Sequence, residues 1–235
     1  LWDQLLKNKL KKFFKYFTFL FLLSLIILYG YNNIELYVNK ISISSNGNNV
    51  NTDILKTQIK EKIKLQNFFN VNPVNIQKEL INHPWIKKIE VYKKFPDKLI
   101  LKITERVAIA IFNDVSLVDE SGNIFKKLKK KKNLLKFYAD DQKEVKYIYD
   151  FYKKFIKFQN LNNIQIDISY IKINSIKEFV VRTKANNLIY FGSKNIDERL
   201  GRFIQLYRSI ELENLNNVEY FDMRYTNGVS VKKRR

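Results

Sequence analysis

The sequence predicts an α+β protein held by a single N-terminal transmembrane helix, and three observations lead to that prediction. Residues 16–33 form an uncharged run rich in large apolar side chains. Residues 36–106 then give the order strand, helix, helix, strand, strand, and residues 107–235 combine short apolar strands with two flanking amphipathic helices. The roughly 200 residues that follow the anchor suffice for two compact domains.

The apolar run 16–33 fits one membrane-spanning helix, because a bilayer core about 30 Å thick is crossed by about 20 helical residues. Lysines are frequent in residues 1–15, whereas the first basic residue after the run is Lys40. Basic flanks stay on the cytoplasmic side, so residues 1–15 are predicted to be a cytoplasmic tail. A cleaved signal peptide and a buried core helix are the alternatives, but no small-residue cleavage pattern follows Tyr29.

Bulk composition excludes several classes of protein. A hydrophobic content of 46% excludes a disordered chain, and the absence of cysteine excludes disulfides and thiolate chemistry. The net charge of +20 raises the question of nucleic acid, and residues 126–132 are its densest part. Lysine is abundant along the whole chain without a nucleic-acid motif, so a solvated loop is favoured and lipid headgroup contact stays open.

Local signals place the elements of residues 36–106. A first strand ends at the turn of 46–48, and Asn51 or Thr52 caps the first helix. Asn72 followed by Pro73 starts the second helix, and a hairpin follows whose turn is 95–97. The residues expected on the buried sides of the helices are Ile54, Leu55, Ile59 and Ile63 in the first, and Ile76, Leu80 and Ile81 in the second.

The second half alternates strands and helices. Asp140 or Asp141 caps a helix, and Asn195 with Glu198 predicts a capping box at the start of another. Strands are predicted at 164–173, with a bulge or turn near Tyr170, and also at 179–181, at 188–191 and in the terminal run from 218 to 231. The residues expected on the buried faces of the two helices are Val145, Ile148, Tyr152, Phe155, Ile156, Leu200, Phe203, Ile204, Tyr207 and Ile210.

The residues that carry chemistry do not form a catalytic or metal-binding pattern. His83 is the only histidine, and its place directly before Pro84 is typical of a helix end. Asp119 fits turn chemistry, and paired acids such as Asp140 and Asp141 fit helix capping. The sequence therefore predicts a binding protein with no enzymatic activity, no metal and no cofactor.

A succession of short motifs at matching intervals resembles the FtsQ/DivIB family of bacterial divisome proteins. In residues 36–106, whose element order matches the POTRA module (β-α-α-β-β), the motifs include Asn67, Phe68, Phe69, Pro84, Trp85, Ile86, Phe95, Pro96, Asp97 and Glu105. In residues 107–235, where that family has its own mixed β domain, they include Leu117, Val118, Asp119, Gly122, Arg199, Leu200, Arg202, Phe203, Asp222, Arg224, Tyr225 and Gly228. The resemblance covers nearly the whole chain after the anchor.

This resemblance implies a non-enzymatic assembly protein in the bacterial inner membrane at the division septum, with both C-terminal domains in the periplasm. It implies that the terminal edge strands bind FtsB, which travels with FtsL, that FtsK is an upstream contact, and that FtsW and FtsI are further possible partners. The residues that would lie in or beside the FtsB strand site are Tyr220, Asp222, Arg224, Tyr225, Gly228 and Val229.

Two alternatives and a few single residues qualify what the resemblance implies. The final hairpin could instead close its own sheet, and the chain could be another POTRA-type assembly or secretion binder. By position Trp85 is a core residue, whereas Glu105 and Arg106 are expected at the surface. The family's basic contact ahead of the strand at 179 has only Lys177 as its nearest counterpart.

Overall fold

The computed structural model describes residues 2–33, 36–126, 133–210 and 215–234, with side chains for all of these except 2–9 and 31–33. Apart from Lys126, the predicted lysine-rich loop lies outside the described residues. Helix α1 runs continuously over Trp2–Asn33, and its Leu10–Gly30 segment is long and apolar enough to cross a membrane. The side chains of that segment are almost all exposed, as lipid-facing residues would be.

The chain, α1 included, divides into two compact units. One takes in the chain up to Leu80 together with Ile89–Ile103, and the other takes in Ile81–Lys88 together with the chain from Thr104 onward. The first five elements after α1 are β1 (Lys40–Ser45), α2 (Thr52–Ile63), α3 (Pro73–Leu80), β2 (Ile86–Lys94) and β3 (Lys98–Glu105). Their order is the predicted one, and the strands form a sheet ordered β1-β3-β2 in which β1 is parallel to β3. This is a POTRA domain.

Side-chain caps fix the starts of both POTRA helices, as predicted. The Oδ1 atom of Asn51 accepts from the backbone N–H groups of Asp53 and Ile54 at 3.1 and 3.0 Å. Asn72 Oδ1 accepts from the N–H of Val74 at 2.9 Å, one residue after the helix starts at Pro73. Each cap satisfies N–H groups that have no partner inside the helix.

The predicted buried faces are too wide by one residue in each helix. Leu55, Ile59, Ile63, Ile76 and Leu80 are buried as expected. Two residues contradict the prediction: Ile54 is 55% exposed and Ile81 is 39% exposed. Ile54 precedes Leu55 by about 100° around the helix, and Ile81 comes directly after the last residue of α3, so neither points into the core.

The second unit contains a nine-stranded sheet with two long helices. Its elements are β4 (Ala108–Phe112), β5 (Ser116–Asp119), β6 (Ile124–Lys126), β7 (Leu135–Tyr138), α4 (Val145–Leu161), β8 (Ile168–Ile173), β9 (Phe179–Thr183), β10 (Leu188–Gly192), α5 (Ile196–Ser209), β11 (Val218–Asp222) and β12 (Ser230–Lys233). The strand order is β12-β11-β10-β9-β8-β7-β4-β5-β6. Three neighbouring pairs are parallel, namely β4 with β7, β7 with β8, and β10 with β11. The second unit is therefore a mixed β domain.

The core of this unit lies between the sheet and the two helices. Five phenylalanines join α4, α5, β10 and β11 through ring contacts with centroids 5.4 to 6.2 Å apart. They are Phe151, Phe155, Phe191, Phe203 and Phe221. Because Phe203 contacts both Phe191 and Phe221, α5 is fixed over the strands that lead to the C-terminal edge of the sheet.

Several local predictions for this unit are confirmed and three are corrected. Asp141 caps the 3-10 turn Gln142–Glu144 that leads into α4, and the register of β8 shifts between Ile168 and Tyr170, which confirms the bulge. The predicted strand at 164–173 begins only at Ile168. The buried face of α4 is rotated from the predicted one, since Tyr149 and Phe151 are buried while Tyr152 and Ile156 are only partly so.

The third correction concerns the capping box. Asn195 has φ +52° and ψ 40°, in the left-handed region. An N-cap residue needs an extended backbone, so the predicted capping box with Glu198 is wrong.

The connection between β3 and β4 also corrects a prediction. Glu105 is buried, and Arg106 is half-buried because its Nη1 pairs at 2.5 Å with the fully buried Asp119. Both had been expected at the surface. Trp85 is buried as predicted, and it packs edge to face on Phe125 with centroids 5.0 Å apart.

Candidate functional site

The edge strand β12 is a place in the second unit where another chain can extend the sheet. It is one of the two outermost strands of the order in the described part of the chain, the other being β6, and it is antiparallel to β11. Val231 is 39% exposed, and Lys232 and Lys233 are exposed as well. An edge strand offers backbone donors and acceptors at regular spacing on the side away from its neighbour. β12 can therefore accept an added strand.

Two of the predicted site residues, Tyr220 and Asp222, lie one strand inside this edge. Tyr220 stands in register with Leu188 of β10 and Lys232 of β12, and Asp222 stands in register with Tyr190 and Ser230. Their backbone therefore takes part in pairing within the sheet. The half-buried side chain of Tyr220 lies on the face of the sheet beside the edge, whereas the side chain of Asp222 is buried.

The Tyr220 side chain belongs to a small cluster next to β12. Its ring meets that of Tyr190 edge to face at 5.7 Å, and the Lys232 Nζ lies 5.7 Å from its ring centroid. Lys232 also pairs with Glu219 at 2.9 Å, and that contact raises the pKa of Lys232. The aromatic ring and the carboxylate both attract the ammonium group, so this cluster holds Lys232 in place at the edge.

Asp222 and Arg224 form a two-point ion pair where β11 ends. Nε of Arg224 donates to Oδ1 at 3.0 Å, and Nη2 donates to Oδ2 at 2.8 Å. The pair holds the pKa of the Asp222 carboxyl below its usual value and raises the pKa of Arg224. The guanidinium also lies 5.3 Å from the Tyr190 ring centroid and 3.9 Å from a Glu178 oxygen. The segment that leaves β11 therefore has a fixed start.

The other three predicted residues lie in the connection between β11 and β12. Tyr225 is 59% exposed, whereas Val229 is half-buried and packs against the core. For Gly228, no heavy atom among the described residues, its chain neighbours aside, lies within 4 Å of where a Cβ would stand. All six predicted residues thus lie in β11 or in the loop that delivers the chain to β12.

Sequence reasoning predicted the terminal run from 218 to 231, which includes the start of β12, but it placed none of the six site residues in β12. Of the residues of that strand only Val231 was noted, because it alternates with Val229 after a turn. Sequence reasoning also missed the roles of Arg199 and Arg202 on α5, which donate to backbone carbonyls of the β11–β12 connection. The signal in the sequence was the recurrence of arginine three residues apart on one helix, in a chain whose basic residues are mostly lysine.

Lys177, the nearest counterpart of a basic contact in the family, is engaged elsewhere. It has a left-handed backbone with φ +63°, and its Nζ pairs with Glu144. The same Nζ lies 5.3 Å from the ring centroid of Tyr147. Its neighbour Glu178 is the residue that faces Arg224.

The residues weighed for catalysis have structural roles. The Nδ1 atom of His83 accepts from the N–H of Trp85 at 3.3 Å, and partial burial lowers the pKa of His83, opposed by Glu105. Asp119 Oδ1 accepts from the N–H groups of Ser121 and Asn123 at 2.9 Å each. In the described ranges, no group of three or more His, Cys, Asp or Glu side chains could hold a metal ion.

Comparison with known proteins agrees with this architecture. Residues 36–106 match the family described as "POTRA domain, FtsQ-type", and residues 109–224 match "Cell division protein FtsQ/DivIB, C-terminal". Similar proteins named Cell division protein FtsQ come from Neisseria meningitidis serogroup B, 25% identical over 88% of this chain and 86% of that protein, and from Coxiella burnetii, 26% identical over 70% and 68%. A third, from Escherichia coli K12, is 25% identical over 69% of this chain and 61% of that protein.

The two matched regions follow one another along most of the chain, and they coincide with a POTRA domain and a mixed β domain behind an apolar N-terminal helix. The chain belongs to the FtsQ/DivIB family of cell division proteins.

Proposed function

We propose that this chain is a non-enzymatic divisome assembly protein that binds FtsB, together with FtsL, by adding a strand of FtsB to β12. The observation that carries the proposal is that β12 is an edge strand of the nine-stranded sheet and exposes Val231, Lys232 and Lys233. Strand addition draws its affinity from main-chain hydrogen bonds and its specificity from side chains beside the edge. Tyr220, Asp222, Arg224, Tyr225, Gly228 and Val229 provide those neighbouring groups.

The surroundings of β12 support a role in binding. Tyr225 exposes more than half of its side chain directly beside the edge, and exposed tyrosine is enriched in protein interfaces. Lys232, Lys233 and Arg234 follow one another along the strand and its end, so the edge carries positive charge. Charge of one sign along an edge prevents pairing between copies of this chain and favours a partner with acidic residues.

The proposal includes a membrane topology and a set of further partners. The N-terminal tail, residues 1–15, lies in the cytoplasm, one helix crosses the inner membrane, and domains 36–106 and 107–235 lie in the periplasm at the division septum. The POTRA domain and the anchor serve recruitment, with FtsK as the upstream contact. FtsW and FtsI are further partners in the same assembly.

Replacement of Tyr225 by Glu tests the FtsB site. Tyr225 is 59% exposed, so the variant keeps the fold, while a carboxylate beside the edge abolishes retention of FtsB in a pull-down. Tyr147→Glu is the matched control, because Tyr147 on α4 is also 59% exposed and lies far along the chain from β12. Circular dichroism checks that both variants are folded. Full retention of FtsB by Tyr225→Glu would count against the site.

The absence of cysteine makes the topology easy to test. Single cysteines in place of Asn8 and of the exposed Ser193 give one probe on each side of the apolar helix. A membrane-impermeant maleimide applied to cells with a permeable outer membrane should label Ser193→Cys and spare Asn8→Cys until the inner membrane is opened. Labelling in the opposite order would refute the topology.

A further inference from the structure

Arginine is rare in this chain and is concentrated near the C-terminal edge of the sheet. It provides eight of the 43 basic residues, and seven of those eight come after residue 181. Lysine presents a single flexible charge, whereas the guanidinium of arginine presents several donors in a rigid plane. Positions that carry arginine in a lysine-rich chain are therefore candidates for contacts that need more than one donor.

Arg202 on α5 uses its guanidinium to hold the loop between β11 and β12. Its Nη2 donates to the carbonyl oxygen of Tyr225 at 3.0 Å, and its Nη1 donates to that of Thr226 at 2.6 Å. A longer contact of 3.4 Å joins Nη1 to the carbonyl oxygen of Gly228. One side chain thus engages three carbonyl groups within four consecutive residues, immediately before β12 begins at Ser230.

Arg199, one turn earlier on α5, holds the other end of the same loop. Its Nη2 donates to the carbonyl oxygen of Arg224 at 2.8 Å, and its Nη1 donates to that of Phe191, in β10, at 2.6 Å. Arg199 therefore links the loop to a strand in the interior of the sheet. Together the two arginines engage the carbonyls of residues 224, 225, 226 and 228.

Gly192 gives Arg199 the space that it needs. Gly192 has φ +69°, and a Cβ there would stand 2.5 Å from Arg199 Nη1. Any other residue would be strained by its backbone and would also displace the guanidinium. The end of β10 is thus shaped to admit this arginine.

These contacts take the place of the water molecules that usually bind the carbonyl groups of an exposed loop. Carbonyl groups in an exposed loop normally bond to water, which leaves the backbone free to move. Here they are tied to α5, which Phe203 fixes through its contacts with Phe191 and Phe221. Hydrogen bonds from a charged guanidinium are stronger than those between neutral groups, so the loop is held in one conformation. The start of β12 is fixed with it.

We infer that Arg199 and Arg202 are positioning residues that set β12 in a ready-made conformation for an incoming strand. The inference rests on the proposed binding of FtsB at this edge. A preordered edge loses less conformational freedom on association than a mobile one, so the arginines raise affinity without touching the partner. This role also gives a physical reason for the presence of two arginines three residues apart on α5.

The experiment uses the full chain in detergent and compares Arg202→Ala, Arg199→Ala and Arg202→Lys with Arg208→Ala, an exposed arginine in the last turn of the same helix. Hydrogen exchange of the amides from 225 to 233 is expected to speed up about tenfold or more in both Arg199→Ala and Arg202→Ala, because several charge-assisted bonds are lost. Exchange in α4 stays unchanged, which separates a freed edge from general unfolding. Arg202→Lys behaves like the alanine variant, since one ammonium cannot span three carbonyls.

Affinity for purified FtsB provides the second readout, and it should fall about tenfold in Arg202→Ala and remain at the wild-type value in Arg208→Ala. Unchanged exchange at 225–233, or unchanged FtsB affinity alongside faster exchange, would overturn the inference. If Tyr225→Glu keeps FtsB bound, the proposed function fails, and the exchange data still decide whether the arginines order the edge.

Discussion

The side-chain amide of Asn187 donates hydrogen bonds at 2.7 and 2.9 Å to the carbonyl oxygens of Val218 and Leu215. Asn187 is 2% exposed, and its Oδ1 lies 3.1 Å from the hydroxyl of Thr183. One buried amide therefore joins the turn between β9 and β10 to the point where β11 begins. The parallel pairing of β10 with β11, which brings the C-terminal residues to the sheet, depends on this connection.

Replacement of Asn187 by Ala is expected to lower the free energy of unfolding by about 1–3 kcal/mol, because two buried carbonyls lose their donor. Urea denaturation of the detergent-solubilised chain measures the change. Asn160→Ala, on the exposed side of α4, is the control and should stay within about 0.5 kcal/mol. Equal stability of the two variants would mean that the amide does not support the entry to β11.

The ion pair of Asp222 with Arg224 predicts that the stability of the fold decreases as the pH becomes acidic. The folded pKa of Asp222 is lowered by Arg224, so the contribution to stability is complete above the unfolded pKa of about 3.9 and is lost as pH falls through the lower folded value. Asp222→Asn lacks this contribution at every pH. The gap in thermal midpoint between the wild type and the variant is expected to be widest near neutral pH and to narrow as the pH falls below about 4. A gap that does not change with pH would contradict the pairing.

Local signals predicted the POTRA domain well, because its elements begin and end at residues with their own chemistry. Asn51 and Asn72 cap the helices that they were expected to cap. The hairpin after Pro84 and the alternating burial of β3 followed from spacing alone. Ile54 was misjudged because an apolar residue at the edge of a stripe has the same signal as one at its centre.

The mixed β domain was less predictable, because its pairings join strands far apart in the chain. The parallel contacts of β4 with β7 and of β10 with β11 leave no local mark in the sequence. The predicted edge, the run from 218 to 231, reaches into β12, but the six named site residues lie on β11 and its loop. Arg199 and Arg202 were read as helix residues, since their contacts with carbonyls depend on where the chain returns.

A pair of cap variants distinguishes a formed cap from one that the sequence only suggested. Asn51→Ala removes an acceptor from two N–H groups and should cost about 1 kcal/mol. Glu198→Ala should cost less than about 0.5 kcal/mol, because the left-handed backbone of Asn195 prevents the capping box. Thermal melts of the two variants provide the comparison. A larger loss for Glu198→Ala than for Asn51→Ala would reverse this assignment.

Replacement of Trp85 is expected to lower the stability of the second unit strongly. It is 1% exposed and packs on Phe125, so Trp85→Ala should lower stability by about 3–5 kcal/mol through a cavity. Trp85→Phe keeps an aromatic ring and should recover part of the loss. Val115→Ala, at a position 73% exposed, is the control and should be close to neutral in a urea titration. A neutral Trp85→Ala would contradict its place in the core.

Gly228 and Gly122 give opposite predictions that separate folding from binding. Gly122 has φ +80°, and a Cβ there would stand 2.7 Å from a Tyr149 ring atom, so Gly122→Val should destabilise the unit strongly. At Gly228 a side chain would enter open space, and Gly228→Val should leave the thermal midpoint unchanged. If an FtsB strand approaches closely beside β12, the added valine should nevertheless weaken FtsB binding about tenfold. Wild-type affinity in Gly228→Val would show that no partner backbone approaches this loop.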